Sequence, residues 1–235
     1  MCTRFVWRGD HDVITGFNFD IDKTIWDHQV CITAKSFYIG IMRPDCKRHG
    51  YHGVHANGNA GTLLYVHGNE RGRYRASADC VNIADLTEAF ISGTIRYPEV
   101  RNILRQKTIT YAPDATMQAM LSDLSGRTLV IEPGIGWREE TTTRFSLITN
   151  YSLLAPMCTQ AFVVPGDHRY EYAQRLLDEK QTTLSIQEAF DVLQAVQQEE
   201  PWATRVSFVY SVREKAVYYC EDRAFYEIRK VRLCI

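Results

Sequence analysis

The residue best suited to chemistry lies at the start of the chain, where Cys2 follows Met1. A small side chain at the second position permits removal of the methionine, which would leave a cysteine with both a thiol and a free α-amine. An α-amine titrates near pH ~7.7–8.0, so a useful fraction is neutral and can take the thiol proton. Cys2 would then combine a nucleophile with its own base. The alternative is a small, buried apolar side chain in a first strand.

The stretch after Cys2 has the pattern needed to hold such a nucleophile. Thr3 to Trp7 is rich in β-forming residues, Gly9 to Asp12 is typical of a turn, and Val13 to Phe19 has the pattern of a second strand. The pattern predicts a β-hairpin that returns Asp20 to the side of Cys2.

This opening resembles that of a known family. The letters MCTRF, a hairpin and then TGFNFD are similar to the start of the choloylglycine hydrolase family, which includes penicillin V acylase and the bile salt hydrolases. Its members are N-terminal-nucleophile (Ntn) hydrolases that cleave linear amide bonds. The resemblance implies that Cys2 is the nucleophile and that Asp20 orients its α-amine.

Later landmarks extend the resemblance. The stretch SDLSGRTLVIEP is similar to a family hairpin, which makes its Glu132 a structural strand-end residue. FSLITNYS is similar to a strand whose Asn donates to the oxyanion, and this maps the oxyanion donor onto Asn150. A neutral amide N–H can stabilise that charge without protonating it. A gapless count from Gly58 to Gly68 puts Tyr65 where the family carries the Tyr or Asn of its oxyanion hole. The alternatives are a turn asparagine and a plain strand aromatic.

A cation is also implied near the nucleophile. Arg169-Tyr170 matches the family's arginine just inside a helix, although the serine that precedes it in the family is missing. A permanent cation near Cys2 would favour its thiolate. Asp167 is the predicted N-cap of this helix.

Two features depart from the family pattern, one a residue and the other a spacing. Phe17 stands where the family usually has an arginine, so support for the thiolate would rest on Arg169, and the pocket would be more apolar. Acyltransferase relatives also lack that arginine. Arg169 follows Tyr151 by only eighteen positions, where bile salt hydrolases carry a long arm used in tetramer assembly. The chain lacks that arm, which leaves its homo-oligomeric state open.

Composition restricts the class of protein. The 235 residues, 45% apolar and 23% charged, fit one domain spanning 1–235. A net charge of −1 with scattered basic residues indicates no nucleic acid and no membrane as partner. No signal-peptide pattern is visible. Seven cysteines without CxxC spacing indicate reduced thiols, and we expect a cytoplasmic protein.

One run of residues invites a metal interpretation. Cys46, His49, His52 and His55 recur at intervals of three. Glycines within the run argue against a helix presenting all four on one face, and strand alternation would divide them between two faces. Loop histidines exposed to solvent are the alternative, and we expect no metal and no organic cofactor.

The order of elements predicts the fold. Strand hairpins are followed by two helices, more strands, two helices and three closing strands, Thr204 to Ser211, Ala216 to Cys220 and Ala224 to Ile228. This order suits an α+β fold, a four-layer αββα sandwich with two antiparallel sheets.

The sequence therefore predicts a cytoplasmic Ntn cysteine hydrolase. Cys2 would cleave the carbon–nitrogen bond of a small linear N-acyl amide through a thioester. Two alternatives stay open: an acyltransferase that passes the acyl group to an amine, and a non-catalytic binding protein on the same fold. The acyl amide itself, whether penicillin V, a bile salt, an N-acyl homoserine lactone or another, is not specified by these residues.

Overall fold

The computed structural model describes residues 2–234 and is dominated by two large sheets. Its strands, numbered in chain order, are β1 (Thr3–Arg8), β2 (Val13–Asp20), β3 (His28–Ile32), β4 (Ser36–Met42), β5 (Arg48–His55), β6 (Ala60–Tyr65), β7 (Cys80–Asn82), β8 (Thr108–Thr110), β9 (Met117–Ser122), β10 (Thr128–Glu132), β11 (Gly136–Glu140), β12 (Phe145–Ile148), β13 (Thr204–Ser211), β14 (Ala216–Glu221) and β15 (Arg229–Arg232). The helices are α1 (Ile83–Ile91), α2 (Tyr97–Gln106), α3 (Arg169–Asp178) and α4 (Ile186–Ala195).

Both large sheets are antiparallel. The first has six strands in the order β12-β1-β2-β13-β14-β15, and the second has seven in the order β11-β10-β9-β6-β5-β4-β3. Strands β7 and β8 form a separate small parallel pair. Helix α1 packs against β5, β6 and β9, whereas α3 and α4 pack against β12, β2 and β13. The predicted α+β sandwich with an αββα layer order is confirmed.

The predicted hairpin at the start of the chain is also confirmed. Strands β1 and β2 pair from Thr3 with Asn18 to Arg8 with Val13, and the amide of Gly9 donates to the carbonyl of Asp12 at 2.9 Å to close the turn. The residue before β1 therefore lies at the same end of the sheet as the last residue of β2.

Alternation along the hairpin divides its side chains between two cores. Val6 and Phe17 are completely buried between the sheets, in a core that includes Phe208 of β13. Phe5 and Trp7 point the other way, into a core formed with α3 and α4. Full burial of a large apolar side chain contributes about 1.5–3 kcal/mol, so both faces of this hairpin are anchored.

Local sequence signals determine the helix ends. Asn82 caps α1 by accepting from the amide of Asp85 at 2.9 Å. Ser185 and Glu188 form the predicted capping box at the start of α4. Within residues 2–234, none of the helices is long and apolar enough to cross a lipid bilayer.

The glycine- and histidine-rich stretch that we expected to be a loop forms a strand instead. Strand β5 pairs with β4 on one side and β6 on the other. A Cβ on Gly53 would lie 2.4 Å from the carbonyl oxygen of Phe37, so glycine is needed where the two strands approach closely.

The predicted last strand, 224–228, is wrong. Asp222 and Arg223 both adopt positive φ, at 47° and 64°, and the chain turns there. Phe225 and Ile228 pack from this turn against the core under α4, and the final strand begins only at Arg229.

Candidate active site

Four of the five predicted site residues meet at one end of the six-stranded sheet because of how the elements end. Cys2 immediately precedes β1, Asp20 is the last residue of β2, and Asn150 follows the end of β12. Since β1 is antiparallel to both neighbouring strands, these three positions lie at the same end of the sheet. Arg169 is the first residue of α3, which packs against β12.

Cys2 is held by its backbone and buried. Its backbone nitrogen donates to Oδ1 of Asn150 at 2.7 Å, and its sulfur lies 3.9 Å from the carbonyl oxygen of Asp20. Burial raises the pKa of the Cys2 thiol to about 11, and Arg169 lowers it by less than burial raises it. The thiol is therefore protonated at neutral pH.

Asp20 is a buried carboxyl group that contacts residues of other elements. Its Oδ1 accepts from the hydroxyl of Thr204 at 2.6 Å, and its Oδ2 lies 3.5 Å from the guanidinium of Arg169. Burial raises the pKa of Asp20 to about 7, while Arg169 and Thr204 act in the opposite direction. Asp20 therefore titrates near neutral pH.

Arg169 forms hydrogen bonds with several residues of the site. Its guanidinium donates to both oxygens of Asp167, at 2.9 and 2.7 Å, in a bidentate pair. It also donates to the carbonyl of Cys2 at 3.1 Å and to Oδ1 of Asn150 at 3.2 Å. Arg169 is buried, so its position is fixed by these partners. Its main contact with Cys2 is to the backbone.

The side chain of Asn150 connects Cys2 to the second sheet. Its Nδ2 donates to the backbone carbonyl of Tyr65 at 2.6 Å, while its Oδ1 faces Cys2 and Arg169. Tyr65 ends β6, and its side chain is 60% exposed at the cavity wall. The structure thus brings Asn150 and Tyr65 together through a backbone carbonyl, with the phenol at the mouth.

A cavity of about 640 Å³ opens beside Cys2, between the two sheets. Apolar and aromatic side chains form most of its wall; they are Phe19, Ile21, Ile25, Trp26, Ile41, Tyr51, Leu63, Tyr65, Met117, Tyr151, Phe162, Val164 and Trp202. Such a volume and wall suit the apolar part of a small molecule.

The cavity wall also contains a charged pair. Arg43 is buried, forms an ion pair with Asp114, and places its guanidinium carbon 4.3 Å from the ring centre of Trp26 and 5.6 Å from that of Tyr51. The charge of Arg43 is thus neutralised by a carboxylate and covered by two rings.

Comparison with known proteins identifies this arrangement at the level of the fold. No family model and no curated protein sequence matches the chain. A single-residue variant of conjugated bile acid hydrolase from Clostridium perfringens superimposes with a TM-score of 0.69 at 14% identity, covering 99% of this chain and 92% of that one. Penicillin V acylase from Agrobacterium tumefaciens gives 0.66 at 16% identity, with coverages of 94% and 83%.

A third solved structure is the Caenorhabditis elegans ortholog of N-acylethanolamine-hydrolyzing acid amidase, with a TM-score of 0.59, 16% identity and coverages of 90% and 93%. All three proteins are Ntn hydrolases of the choloylglycine hydrolase and penicillin V acylase family. The chain has the Ntn-hydrolase fold. Sequence identities of 14% and 16% support a shared fold but do not show a shared activity.

Within this Ntn fold, Phe17 does not have the effect expected of it. Its ring is buried between the sheets, 5.5 Å from the ring of Phe208, and does not belong to the cavity wall. Phe19, two residues later on the same face, lines the cavity instead. The expectation that Phe17 makes the pocket more apolar is therefore wrong.

The side chains of Cys46, His49, His52 and His55 do not come together to form one site. His49 contacts Glu88 and Asp45, at 2.9 Å each, and Nδ1 of His55 accepts from a backbone amide at 3.1 Å. Cys46 is exposed in a turn, whereas His52 is buried in the cavity wall. Among residues 2–234, no group of three or more His, Cys, Asp or Glu side chains is arranged to hold a metal ion.

Two residues of the site were not identified from the sequence. Thr204 begins β13 and pairs with Asp20 across the sheet, which no local pattern indicates. Asp167 was expected to cap α3, but the N-cap is His168 and the carboxylate of Asp167 holds Arg169 instead. An acidic residue two positions before the matched arginine was the available signal for this role.

Proposed function

We propose that this chain is an Ntn cysteine amidohydrolase that cleaves the carbon–nitrogen bond of a linear N-acyl amide. The observation that carries the proposal is the environment of Cys2. The backbone nitrogen of Cys2, which becomes the α-amine when Met1 is removed, already has a side-chain partner in Asn150. Cys2 also contributes to the wall of an apolar cavity. Nucleophile, base and acyl site would then meet at one residue.

Acylation begins with attack of the Cys2 sulfur on the amide carbonyl carbon. Since burial raises the pKa of the thiol to about 11, the proton must leave as the bond forms, and the α-amine with its ordinary pKa of ~7.7–8.0 accepts it. The resulting ammonium returns that proton to the leaving amine. The carbon–nitrogen bond breaks and a thioester remains.

Asn150 supports the negative charge that develops on the carbonyl oxygen. Its amide nitrogen carries two N–H groups, and one of them donates to the carbonyl of Tyr65. The other is available to the oxyanion, where one good donor contributes about 2.7–4 kcal/mol. Water then attacks the thioester, the α-amine takes its proton, and a carboxylic acid is released with regeneration of the thiol.

Asp20 and Arg169 position these groups. The carboxylate of Asp20 would hold the α-ammonium, and Arg169 holds the backbone of Cys2 and the amide of Asn150 in fixed relative positions. Because Arg169 is buried and paired, this arrangement is preorganised and need not form during the reaction.

The apolar cavity supports a substrate with an apolar acyl group, and no organic cofactor or metal enters the chemistry. The names of the structural neighbours, which refer to a conjugated bile acid, penicillin V and an N-acylethanolamine, support an amide. We assign the chain to the same family and place it in the cytoplasm, where free thiols persist. All seven of its cysteines are unpaired.

The test combines mass spectrometry with turnover. We expect an intact mass that lacks Met1, and release of amine from a panel of N-acyl amides. Cys2→Ala should abolish release and Cys2→Ser should leave a much weaker enzyme, because serine is harder to deprotonate. Cys220→Ala is the matched control, since Cys220 is also a buried thiol but packs in the other core.

Three outcomes separate the alternatives. Acid formed at the same rate as amine supports hydrolysis, whereas an amide formed with an added amine would indicate acyl transfer. Full activity with Met1 retained would contradict the use of the Cys2 α-amine. A chain that binds acyl amides and never cleaves them would be a binding protein.

A further inference from the structure

His52 is a buried polar side chain in the cavity wall that the proposed chemistry does not use. It is 5% exposed, and its ring lies between two phenylalanines, with centroid distances of 5.1 Å to Phe17 and 5.0 Å to Phe19. It lines the same cavity as Cys2. A polar ring held in an apolar wall requires an explanation.

A β-bulge lies next to His52 in β5. The pairing of β5 with β4 shifts at this point, so that Ile39 faces His52 while Gly40 faces Gly50, and Tyr51 is the extra residue. In a regular strand, neighbours point to opposite faces. The bulge lets both Tyr51 and His52 line the cavity, and bulges commonly redirect side chains beside functional sites.

The protonation of His52 is determined by its surroundings. Nδ1 accepts a hydrogen bond from the backbone amide of Leu63 at 3.2 Å, so this nitrogen carries no proton. Burial, assisted by the nearby guanidinium of Arg4, lowers the pKa of His52 to about 3, so the ring is neutral. The one proton of a neutral imidazole is therefore on Nε2.

Nε2–H of His52 has no acceptor among residues 2–234, which makes it a fixed donor on a cavity-lining side chain. Several other polar groups in the wall are engaged within the protein. Arg43 pairs with Asp114, and the hydroxyl of Thr159 contacts Ser152 at 2.9 Å. The donor of His52 is thus available to a molecule in the cavity.

We propose that His52 determines specificity by donating Nε2–H to an oxygen on the acyl chain, so that the substrate is an apolar acyl amide bearing an oxo, hydroxyl or ether oxygen. This inference rests on the proposed function for the identity of the ligand. An acyl group made only of methylenes leaves the buried donor without a partner, and a site of this kind discriminates against such a ligand. His52 positions the acyl chain and takes no part in bond breaking.

The test measures binding in the Cys2→Ala variant, where no turnover occurs. The ligands are straight-chain N-acyl anilides in which a carbonyl replaces one chain methylene at a time. We expect one carbonyl position to bind about tenfold or more tightly than the all-methylene parent, measured by calorimetry. His52→Phe in the same background should reduce that ratio to about one.

Two further variants make the comparison specific. His52→Gln should keep part of the preference, because its amide oxygen can accept from Leu63 while its nitrogen donates to the ligand. His28→Phe should keep the full ratio, since His28 also packs on Phe19, at 5.4 Å, but does not line the cavity. If His52→Phe does not fold, His52→Met replaces it.

The proposal is overturned if no carbonyl position improves binding, or if the preference survives in His52→Phe. Its failure is distinguishable from that of the proposed function. Hydrolysis is judged by aniline release from the wild-type chain, and the role of His52 by a ratio of affinities in a variant that cannot react.

Discussion

Oδ1 of Asn150 accepts a hydrogen bond of 2.7 Å from the backbone nitrogen of Cys2. The other end of the same amide donates to the carbonyl of Tyr65 at 2.6 Å, which fixes its orientation. One side chain therefore contacts the nitrogen that would become the α-amine and keeps a second N–H group for its proposed role as oxyanion donor. The two roles proposed for Asn150 can be separated by substitution.

Asn150→Ala should lower kcat by roughly 10²–10³ with a small change in KM, because the oxyanion forms fully only near the transition state. Asn150→Asp keeps an oxygen for the nitrogen of Cys2 and loses the donor, so kcat should fall by a similar factor. Its carboxylate should also raise the pKa of the α-amine and shift the pH–rate profile upward. Steady-state kinetics across pH measure both effects.

Asn82→Ala is the control for Asn150, since it removes a helix cap that does not line the cavity. It should cost about 1 kcal/mol of stability and leave kcat unchanged. An Asn150→Ala enzyme with a raised KM and normal kcat would make Asn150 a substrate-binding residue.

Thr204→Val should move the acidic limb of kcat/KM to higher pH. The hydroxyl of Thr204 donates to Asp20 at 2.6 Å and favours the carboxylate, so its loss raises the pKa of Asp20 above about 7. The carboxylate would then be available to the α-ammonium only at higher pH. Thr204→Ser keeps the hydroxyl and should keep the wild-type profile. Identical pH profiles of kcat/KM for Thr204→Val and Thr204→Ser would exclude this role of the Thr204 hydroxyl.

Asp20 should make the folded chain less stable above neutral pH. Its pKa is raised by burial from 3.8 to about 7, so the folded state favours the protonated form. The stabilisation from proton uptake is complete below pH ~4 and is lost as the pH rises through about 7.

The matching variant is Asp20→Asn, which cannot titrate. The free energy of unfolding of the wild type, relative to that of Asp20→Asn, should fall between pH 5 and pH 8 in denaturant titrations. A constant or rising difference would mean that Asp20 has a lower pKa in the folded chain.

Arg169→Lys should impair both stability and turnover, although the charge is kept. An ammonium cannot reproduce the two parallel hydrogen bonds to Asp167 while also reaching the carbonyl of Cys2. We expect kcat to fall by about 10-fold or more, as misplacement of reacting groups by about 1 Å can cost 10². Arg175→Lys on the same helix is the control, because the guanidinium of Arg175 lies over the ring of Tyr172, 5.0 Å from its centre, and does not line the cavity. Equal turnover in the two variants would show that Arg169 serves packing alone.

Features encoded by neighbouring residues were predicted well from the sequence. The hairpin that brings Asp20 back to Cys2 follows from a turn of four residues between two β-rich runs, and the capping box of α4 follows from Ser185 and Glu188. In each case the partners are close along the chain. Their geometry therefore depends little on the rest of the fold.

Features that depend on distant partners were predicted poorly. The stretch containing Gly50 and Gly53 has weak strand propensity, yet it becomes β5 because β4 and β6 supply hydrogen bonds on both sides. The stretch 224–228 has strand propensity, yet it turns, since packing under α4 determines its path.

Local patterns along the chain specified the order of the elements, the hairpin that carries Cys2 and Asp20, and the residue types able to perform amide chemistry. The assembly of the sheets established that Thr204 supports Asp20, that Arg169 contacts Cys2, and that Tyr51 and His52 both line the cavity. The physical reason is sequence separation. Hydrogen bonds within a hairpin or a helix turn are specified by local spacing, whereas burial and the pairing of Asp20 with a residue 184 positions away arise only when the sheets assemble.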